Sequence, residues 1–453
     1  MYNCSQELTK FYNKKVVLSR DSQNDLREKR KKNIKRLKNG LKKYNDDNNT
    51  SYKIAENKVQ GSMAMHTVVQ NDDREYDIDV GIVFDDDNLN NLGPLATRNM
   101  VAEALNTEMN QFNSKAEVKT SCIRINYEAG YHVDFAVYKR NKILLSDNEY
   151  IYEHAGNKWV ERDLKALNNW FEEEMKSKGD ILRKIIRLSK MFCKSRDKWK
   201  NMPSGLIQTV LCARMIVTKY ERLDETFYYT MKNIIEELNK NDEIIAPVDN
   251  GRNLTKRKID KERIKNWRER LESQLNDFEI LFNPNCTMEV AQKVWGNFFN
   301  HSYWDNLNKN STSDDIETKD YNDTEEFIGD LYPVIEKYDL NIKCEVQGNG
   351  FRKMLLSKFI GLGNTNNFIP YNFKVHCEVY DTNCSDYDKI LWKVKNVGEV
   401  AERKNCIRGE IVEGRGVKIT EHTSFKGTHY IECYLIKDGI CVAIDYVDVP
   451  IGE

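Results

Sequence analysis

The chain has 453 residues, which at roughly 100 to 200 residues per domain predicts two or three domains. Lysine and arginine number 70 and aspartate and glutamate 71, so the formal net charge is −1, and 40% of the residues are hydrophobic. This composition excludes a disordered chain and a uniformly basic nucleic-acid coat. No segment approaches the ~18 uninterrupted apolar residues of a membrane helix, and the first residues lack the features of a secretion signal. We therefore expect a cytoplasmic protein with no membrane partner.

The eleven cysteines are scattered along the chain, with no C-x-x-C pair and no Cys/His cluster at zinc spacing. In the cytoplasm this pattern predicts reduced, mostly buried thiols. No cysteine lies in a recognisable nucleophile context, so we assign a catalytic role to none of them.

The near-zero net charge conceals a strongly basic segment near the start of the chain. Residues 20–44 contain eleven lysines and arginines against three acids, with Leu26, Ile34, Leu37 and Leu41 at helical spacing. The pattern predicts a long amphipathic helix with a basic outer face. That face is either simply solvated or a surface that meets polyanions. Residues 187–200 and 252–270 are also basic, whereas residues 72–87 are acidic.

An acidic pair interrupts the apolar run at residues 76–84, which is predicted to be a strand. Residues i and i+2 of a strand point to the same face, so the carboxylates of Asp77 and Asp79 should lie side by side. Two like charges held this close favour a bound cation, and oxygen ligands favour Mg²⁺. His66 and His132 lie nearby and are interpreted as packed or hydrogen-bonded side chains rather than ligands.

A second apolar strand, residues 131–138, carries the lone acid Asp134. If it lies beside the first strand, Asp134 completes a three-carboxylate site able to hold two metal ions roughly 4 Å apart. Such sites perform phosphoryl or nucleotidyl transfer. The preceding Gly61-Ser62 supplies a turn that phosphate can approach closely, with a hydroxyl to contact it.

After residue 163, the spacing of the hydrophobic residues changes once, from a helical period to the period of a strand. Most of residues 163–282 follow a helical period, whereas residues 373–379 and 390–394 alternate with the period of a strand. The polar stretch 305–323 between them has the composition of a linker. We therefore expect a catalytic unit at 1–305, a linker at 306–330 and a small antiparallel β-sandwich at 331–453.

The last three predicted strands occupy residues 416–425, 428–436 and 440–449. Lys426-Gly427 separates the first two, and Lys437-Asp438-Gly439 separates the last two. Both separators have the composition of tight turns, so the three strands are expected to form successive hairpins of a meander.

The catalytic motifs resemble a known family. Gln60-Gly61-Ser62 with Thr67, the Asp77-Ile78-Asp79 strand and Val133-Asp134-Phe135 are similar to the core of the bacterial cGAS/DncV-like nucleotidyltransferases (CD-NTases, SMODS domain), within the DNA polymerase β-like superfamily. The resemblance covers roughly residues 20–300. It implies an α+β fold, with a polymerase β-like core and a helical lobe ahead of the β-sandwich. It also implies a pyrophosphate-releasing enzyme that makes cyclic oligonucleotide second messengers in antiphage (CBASS) signalling.

The same resemblance implies which residues hold the nucleotide and the metal. Asp77, Asp79 and Asp134 correspond to the catalytic metal ligands, with two Mg²⁺ ions expected per site and Mn²⁺ as the alternative. The nucleotide-binding candidates are Gln60, Gly61, Ser62, Lys190, Ser204 and Arg162. The loop 246–255 resembles one that the family places near the base, without individual roles. The substrates implied are nucleoside triphosphates, with ATP as one of them.

The C-terminal part resembles the AGS-C sensor domain through Trp392, the segment 394–398, Arg408-Gly409 and the segment 426–434. Trp392 and its alternating neighbours are interpreted as sandwich core. The resemblance implies a regulatory module, and the family implies a polyanionic or phage-derived activator and an effector reached through the cyclic product.

Two alternatives to a cyclic oligonucleotide synthase remain at this stage. One is a template-independent transferase acting on RNA or protein, with the basic segments 20–44 and 252–270 as an RNA track. The other is a non-catalytic sensor or scaffold. The complete set of three aspartates argues against this second alternative.

Overall fold

The computed structural model describes residues 1–452 apart from residues 19, 71–75, 110–114, 128–129, 144–148, 250, 306–324, 333, 335–337, 349, 362–366 and 415. The chain separates into two compact units, Met1–Asp315 and Ile316–Glu453. Most of the predicted linker falls on residues 306–324 and so lies outside the described residues. No helix in the described part of the chain is long and apolar enough to cross a membrane.

Unit 1 contains a mixed sheet and two groups of helices. The strands are β1 Ile54–Val59, β2 Asp77–Asp85, β3 Glu117–Val118, β4 Ile123–Asn126, β5 His132–Lys142, β6 Tyr150–Ala155 and β7 Trp159–Glu161. The α-helices are α1 Ser5–Phe11, α2 Arg20–Asn48, α3 Gly61–Ala64, α4 Pro94–Thr107, α5 Ala166–Lys178, α6 Ile181–Lys194, α7 Gly205–Met215, α8 Leu223–Lys240, α9 Lys258–Asn276 and α10 Met288–Phe299. A π-helix follows α1 at Tyr12–Val16, and 3₁₀-helices span Asp86–Leu89 and Asp277–Phe282.

Five strands of the sheet lie in the order β1-β2-β5-β4-β3. β6 pairs with the C-terminal half of β5, and β7 pairs with β6. The even-numbered residues of β2, including Ile78 and Val80, are fully buried in one cluster with residues of α2 and α4. Alternation then directs Asp77 and Asp79 to the opposite face of the sheet. The predicted basic helix is present as α2 and packs its apolar stripe against this cluster.

Helices α5 to α10 form a second core together with α1. Trp267 and Trp295 are fully buried in it, and Phe11 of α1 packs on Phe299 with ring centroids 4.8 Å apart. This helical lobe confirms the helical period read in residues 163–282. It supplies α6 and α7, which form part of the candidate site.

Unit 2 consists of two four-stranded antiparallel sheets. Its strands are β8 Leu340–Gly348, β9 Phe351–Leu355, β10 Lys374–Thr382, β11 Lys389–Lys395, β12 Arg408–Glu413, β13 Lys418–His422, β14 Gly427–Lys437 and β15 Ile440–Ile451. Short helices are α11 Ile328–Leu331, α12 Leu356–Ile360 and α13 Glu399–Arg403. The sheet orders are β13-β10-β8-β9 and β12-β11-β14-β15. Val375 of one sheet and fully buried Trp392 of the other share one hydrophobic core, as expected of a β-sandwich.

Three features of unit 2 differ from the sequence-based predictions. β14 and β15 form the predicted hairpin, but β13 pairs with β10 in the other sheet, so the first predicted hairpin is wrong. Cys344 and Cys377 lie opposite each other on β8 and β10 and form a disulfide, against the prediction that all cysteines are reduced. Glu325 and Ile328, placed in the linker by sequence, contact the β12-β11-β14-β15 sheet.

Candidate active site

The candidate site lies where β2 and β5 run side by side. The two strands are parallel, and their register pairs Asp79 with Asp134 and Asp77 with His132. The second strand therefore lies beside the first, which is the condition that the predicted three-carboxylate site required. Parallel pairing also explains the heavily apolar character of both strands, since central parallel strands are buried on both faces.

Gly61 lies directly over Asp79. The Gln60 amide donates to the Asp79 carbonyl at 2.9 Å, which holds the start of α3 against β2. Gly61 has φ +62°, and a Cβ built on it would lie 2.1 Å from Asp79 Oδ2. Only glycine satisfies both the left-handed backbone and this close approach.

The three carboxylates affect one another strongly. Burial, followed by the negative charges of Asp77 and Asp134, raises the pKa of Asp79 to about 6. Contact with His132 lowers the pKa of Asp77, since His132 Nε2 lies 2.8 Å from Asp77 Oδ1. The same contact raises the pKa of His132. The histidine therefore pairs with a candidate ligand and favours its charged form.

Arg124 of β4 holds the third aspartate. Its Nε lies 2.8 Å from Asp134 Oδ1 and its Nη2 lies 2.6 Å from Asp134 Oδ2. This bidentate pair joins residues that lie directly opposite each other on β4 and β5. Sequence reasoning missed Arg124. The available signal was a charged residue at the centre of the short apolar alternation Ile123-Arg124-Ile125.

A cavity of about 710 Å³ opens beside the aspartates. Gly61, Ser62, Asp77 and Asp79 line one side, and residues of α6, α7 and the connection between them line the other. A volume of this size lies within the usual range for small-molecule sites, roughly 300 to 1,000 Å³. The cavity therefore has room for a nucleoside triphosphate.

Lys190 of α6 lines this cavity, although its side chain is buried. Its Nζ donates to the Thr67 hydroxyl at 2.7 Å and to the Thr67 carbonyl at 3.1 Å. Burial, followed by the nearby charge of Arg187, lowers the pKa of Lys190 to about 7. A buried lysine in a cleft with a strongly lowered pKa is typical of a functional site. Lys194, one turn further along α6, lines the same cavity and was missed by sequence reasoning.

Two other predicted residues make structural contacts. Ser204 is the N-cap of α7, and its hydroxyl accepts from the Ile207 amide at 3.4 Å. Its neighbours in sequence, Pro203 and Gly205, line the cavity. The Gln60 side chain donates to the Tyr138 hydroxyl at 3.3 Å.

Arg162 lies next to the predicted base-side loop. Its Nε is 3.5 Å from Asp249 Oδ2 in the loop 246–255, and the same carboxylate contacts Arg252 at 3.2 Å. Asn250 of that loop lies outside the described residues. The structure therefore pairs Arg162 with the loop.

The three aspartates offer the oxygen ligands of a divalent-metal site, but their side chains are not arranged around a common point where an ion would bind. Within the described residues, no group of three side chains is assembled in metal-binding geometry. Both oxygens of Asp134 are held by Arg124. The chemistry nevertheless fits a hard cation, because the donors are carboxylate oxygens, and burial followed by the charges of Asp77 and Asp134 raises the pKa of Asp79. Asp77 and Asp79 would hold such an ion, and Asp134 lies in register beside Asp79.

Family models match both units. Residues 55–138 match the family described as "Cyclic GMP-AMP synthase DncV-like, nucleotidyltransferase domain". Residues 322–452 match the "Adenylyl/Guanylyl and SMODS C-terminal sensor domain", AGS-C. A cyclic GMP-AMP synthase of Escherichia albertii is 23% identical over 409 residues, which cover 86% of this chain and 83% of the relative. A c-di-GMP synthase of Roseivirga ehrenbergii is 25% identical over 279 residues, 54% of this chain and 72% of the relative.

Solved structures show the same fold. A mutant of the Vibrio cholerae di-nucleotide cyclase DncV superposes with a TM-score of 0.54 at 16% identity. DncV in complex with a linear intermediate, pppA(3′,5′)pG, gives 0.53 at 17% identity. In both cases the match covers 66% of this chain and 96% of the other.

Together these matches indicate a nucleotidyltransferase whose catalytic domain is similar to that of DncV. Residues 55–138 carry the DncV-like nucleotidyltransferase match and residues 322–452 the AGS-C match, which is the domain order that the resemblance to the CD-NTases implies. The family resemblance and the α+β fold predicted from sequence are thereby confirmed.

Proposed function

We propose that this nucleotidyltransferase is a cyclic oligonucleotide synthase that joins nucleoside triphosphates into a cyclic di- or trinucleotide. One observation carries the proposal. Asp77 and Asp79, with Asp134 in register beside them, border the same cavity as Gly61, Ser62 and Lys190. The arrangement brings the carboxylates proposed to bind cations and the lysine proposed to bind phosphate to one cleft. Both relatives described above are named as synthases of cyclic dinucleotides, which supports the same product class here.

In the proposed reaction a ribose hydroxyl oxygen bonds to the α-phosphorus of a triphosphate, and the bond from that phosphorus to the bridging oxygen breaks. Pyrophosphate leaves, and the hydroxyl proton passes to solvent. Two Mg²⁺ ions, or Mn²⁺, would lower the pKa of the attacking hydroxyl and neutralise the leaving pyrophosphate when bound. Asp77, Asp79 and Asp134 are the residues proposed to hold them.

The chain's own groups orient the triphosphate. Lys190 reaches the cavity from α6, fixed by Thr67, and offers a positive charge to phosphate oxygens. Gly61 allows a close approach because its lack of a side chain leaves the space over Asp79 open. Ser62 and Ser204 remain proposed phosphate contacts. Arg162, which pairs with Asp249 of the loop 246–255, remains a proposed nucleotide contact.

The wider biological role is part of the proposal. We propose ATP as one substrate, since an adenosine nucleotide occurs in the name of the Escherichia albertii relative. The product would act as a second messenger in antiphage defence, as the family resemblance implies, with an activator acting on this protein and an effector responding to the product. Residues 1–305 and 331–453 are the proposed bounds of the catalytic and sensor domains.

The test is product analysis. Purified protein is incubated with Mg²⁺ and labelled ATP and GTP, separately and together, and the products are treated with phosphatase. A cyclic product resists phosphatase and gives a mass equal to the sum of its nucleotide monophosphates less one water per linkage. Linear or polymer-attached products alone would instead support the template-independent transferase.

Two variants on one strand sharpen the test. Asp79→Asn should abolish synthesis because it removes a central carboxylate. Asp85→Asn lies on the same face at the other end of β2, where the carboxylate contacts Arg140 at 2.7 Å, and should retain synthesis. Equal loss in both variants would point to damage to the strand rather than to the site.

A further inference from the structure

Unit 2 contains its own cavity between the two sheets of the sandwich, with a volume of about 280 Å³. Its floor is apolar and buried. Val375 of β10 contributes from one sheet, and Val394, Ile431 and Val449 contribute from the other. A pocket with an apolar floor and a few polar groups at the mouth is the usual form of a small-molecule site.

An ion pair spans the mouth of this cavity. Arg408 Nη1 donates to Glu421 Oε2 at 2.7 Å, and Nη2 donates to Oε1 at 3.2 Å. Arg408 begins β12 and Glu421 belongs to β13, which are edge strands of different sheets. The pair therefore connects the two sheets at the entrance. Both side chains are partly exposed, at 43% and 24%, so the pair adds little stability and can be exchanged at low cost.

The backbone is distorted at Arg408. Its φ is +58°, uncommon for a residue with a side chain, and the following Gly409 has φ +120°. The register between β11 and β12 shifts between Lys393 and Lys395, immediately opposite Arg408. Bulges of this kind re-aim side chains, and strained backbone concentrates at functional sites. Here the distortion presents the guanidinium at the cavity mouth.

The opposite wall is preformed. His429 is 3% exposed, and its Nδ1 accepts from the Val397 amide at 3.0 Å. Its Nε2 consequently carries the proton and donates to the Phe425 carbonyl at 2.8 Å. This fixes Phe425, which lines the cavity and packs edge-on against His429. The pocket therefore needs little ordering on binding.

We propose that this inter-sheet cavity binds a small carboxylic acid with an aromatic or branched apolar body, whose carboxylate replaces Glu421 at Arg408. The apolar body fills the valine and isoleucine floor. A carboxylate is favoured because Glu421 already shows the bidentate geometry that a ligand carboxylate would reproduce. Binding exchanges one ion pair for another and releases β13 from β12 at the entrance.

The size of the cavity limits the ligand. A volume of 280 Å³ corresponds to about nine water molecules at roughly 30 Å³ each, enough for a molecule of on the order of a dozen non-hydrogen atoms. A cyclic dinucleotide is several times larger. The ligand is therefore distinct from the proposed reaction product, and the site does not depend on the proposed function of unit 1.

Calorimetric titration of the full chain tests the proposal, with 3-phenylpropionate and benzoate as probes and 3-phenylpropanamide as the uncharged match. The acids should bind and the amide should bind at least tenfold more weakly. Arg408→Gln should weaken acid binding at least tenfold. Glu421→Gln should tighten it at least threefold, because it removes the competing carboxylate. Arg352→Gln, an exposed arginine on β9 outside the cavity, should change nothing.

The opposite signs of two variants at one ion pair separate ligand binding from structural damage. Circular dichroism verifies that each variant is folded. Equal binding of acid and amide, or unchanged binding in Arg408→Gln, would overturn the proposal. So would the absence of binding tighter than ~1 mM for either acid in both the native chain and Glu421→Gln.

Discussion

Arg124 occupies both carboxylate oxygens of Asp134, at 2.8 and 2.6 Å, while Asp134 lies in register beside Asp79. The guanidinium thus supplies positive charge where three acids meet. A divalent ion bound at the same carboxylates would compete with it. We therefore expect Arg124 to compete with a metal ion for Asp134 rather than to hold Asp134 in place for the ion.

Removing Arg124 should strengthen metal binding in the absence of nucleotide. A partly exposed pair of this kind is worth about 1 kcal/mol, so Arg124→Gln should tighten Mn²⁺ binding about fivefold. Electron paramagnetic resonance of free Mn²⁺ measures this directly. Arg140→Gln, which removes the guanidinium paired with Asp85 at the far end of β5, is the matched control and should leave the affinity unchanged. Unchanged or weaker binding in Arg124→Gln would contradict the competition.

Gly61→Ala should reduce nucleotidyl transfer sharply. The new methyl group would lie 2.1 Å from Asp79 Oδ2 in the present geometry, so either the carboxylate or the start of α3 must move. A displacement of about 1 Å at reacting groups can cost on the order of 100-fold in rate. Turnover under saturating triphosphate, measured by pyrophosphate release, should fall by about that factor.

Gly179→Ala separates this clash from backbone strain. Gly179, at the end of α5, has φ +73°, similar to that of Gly61, but no atom of the described residues lies within 4 Å of the position that a Cβ would take there. Both variants should lose at least about 1 kcal/mol of stability because alanine disfavours positive φ. Only Gly61→Ala should lose activity. A similar loss of activity in both would show that stability, not geometry, limits turnover.

The aspartate site was predictable because its physics is local. Two acids at i and i+2 within an apolar strand define a shared face before any tertiary contact is known, and Asp134 within a second apolar strand has the same character. The long basic helix and the period-two strands of unit 2 followed from side-chain periodicity in the same way. The sequence thus predicts a shared face for Asp77 and Asp79, whereas Asp134 joins them only if the two strands are neighbours, a condition that the parallel pairing of β2 and β5 fulfils.

The missed features depend on pairing between distant segments. The role of Arg124 depends on the pairing of β4 with β5, which brings it opposite Asp134. A lone arginine in a strand does not indicate its partner. The hairpin expected at Lys426-Gly427 failed because turn composition does not determine which sheet a strand joins, and β13 crosses to β10. The Cys344–Cys377 disulfide likewise depends on the register of β8 and β10, which spacing along the chain does not encode.

Lys190 should take up a proton when triphosphate binds. Because its pKa is about 7, Lys190 is neutral in most molecules of the free protein at pH 8. A neighbouring phosphate favours the charged form. Binding of ATP at pH 8 should therefore take up about one proton, and almost none at pH 6 where Lys190 is already charged. Calorimetry in buffers of different ionisation enthalpy measures the uptake.

Two lysine variants test this assignment. Lys190→Met should abolish the proton uptake and weaken ATP binding. Lys194→Met removes an exposed lysine that lines the same cavity one turn further along α6, and should retain the uptake. Proton uptake that persists in Lys190→Met would assign the titrating group elsewhere.

Glu325 ties the first described residues of unit 2 to its sheet. Its carboxylate lies 2.7 Å from Lys393 Nζ and 3.4 Å from Lys395 Nζ, and it accepts from the Tyr430 hydroxyl at 2.7 Å. Burial alone would raise the pKa of Glu325, but the two lysines hold it well below its usual range. Because the folded pKa is lowered, the carboxylate stabilises the fold above the unfolded pKa, and this contribution is lost as the pH falls.

Glu325→Gln should lower the local stability of β11 and β14 by about 2 kcal/mol at pH 7, because Lys393 is 2% exposed and would then rely on Glu432, at 3.2 Å, for its acidic contact. The difference from the native chain should shrink as the pH falls below about 4, because the unfolded chain then takes up a proton at this glutamate while the folded chain keeps it charged. Hydrogen exchange of the β11 amides at both pH values measures it. Glu326→Gln is the control: the Glu326 carboxylate accepts from the Ile411 amide, and the glutamine side-chain oxygen can still accept there, so this variant should change the stability much less. A difference that stays constant with pH would mean that packing, rather than charge, makes Glu325 stabilising.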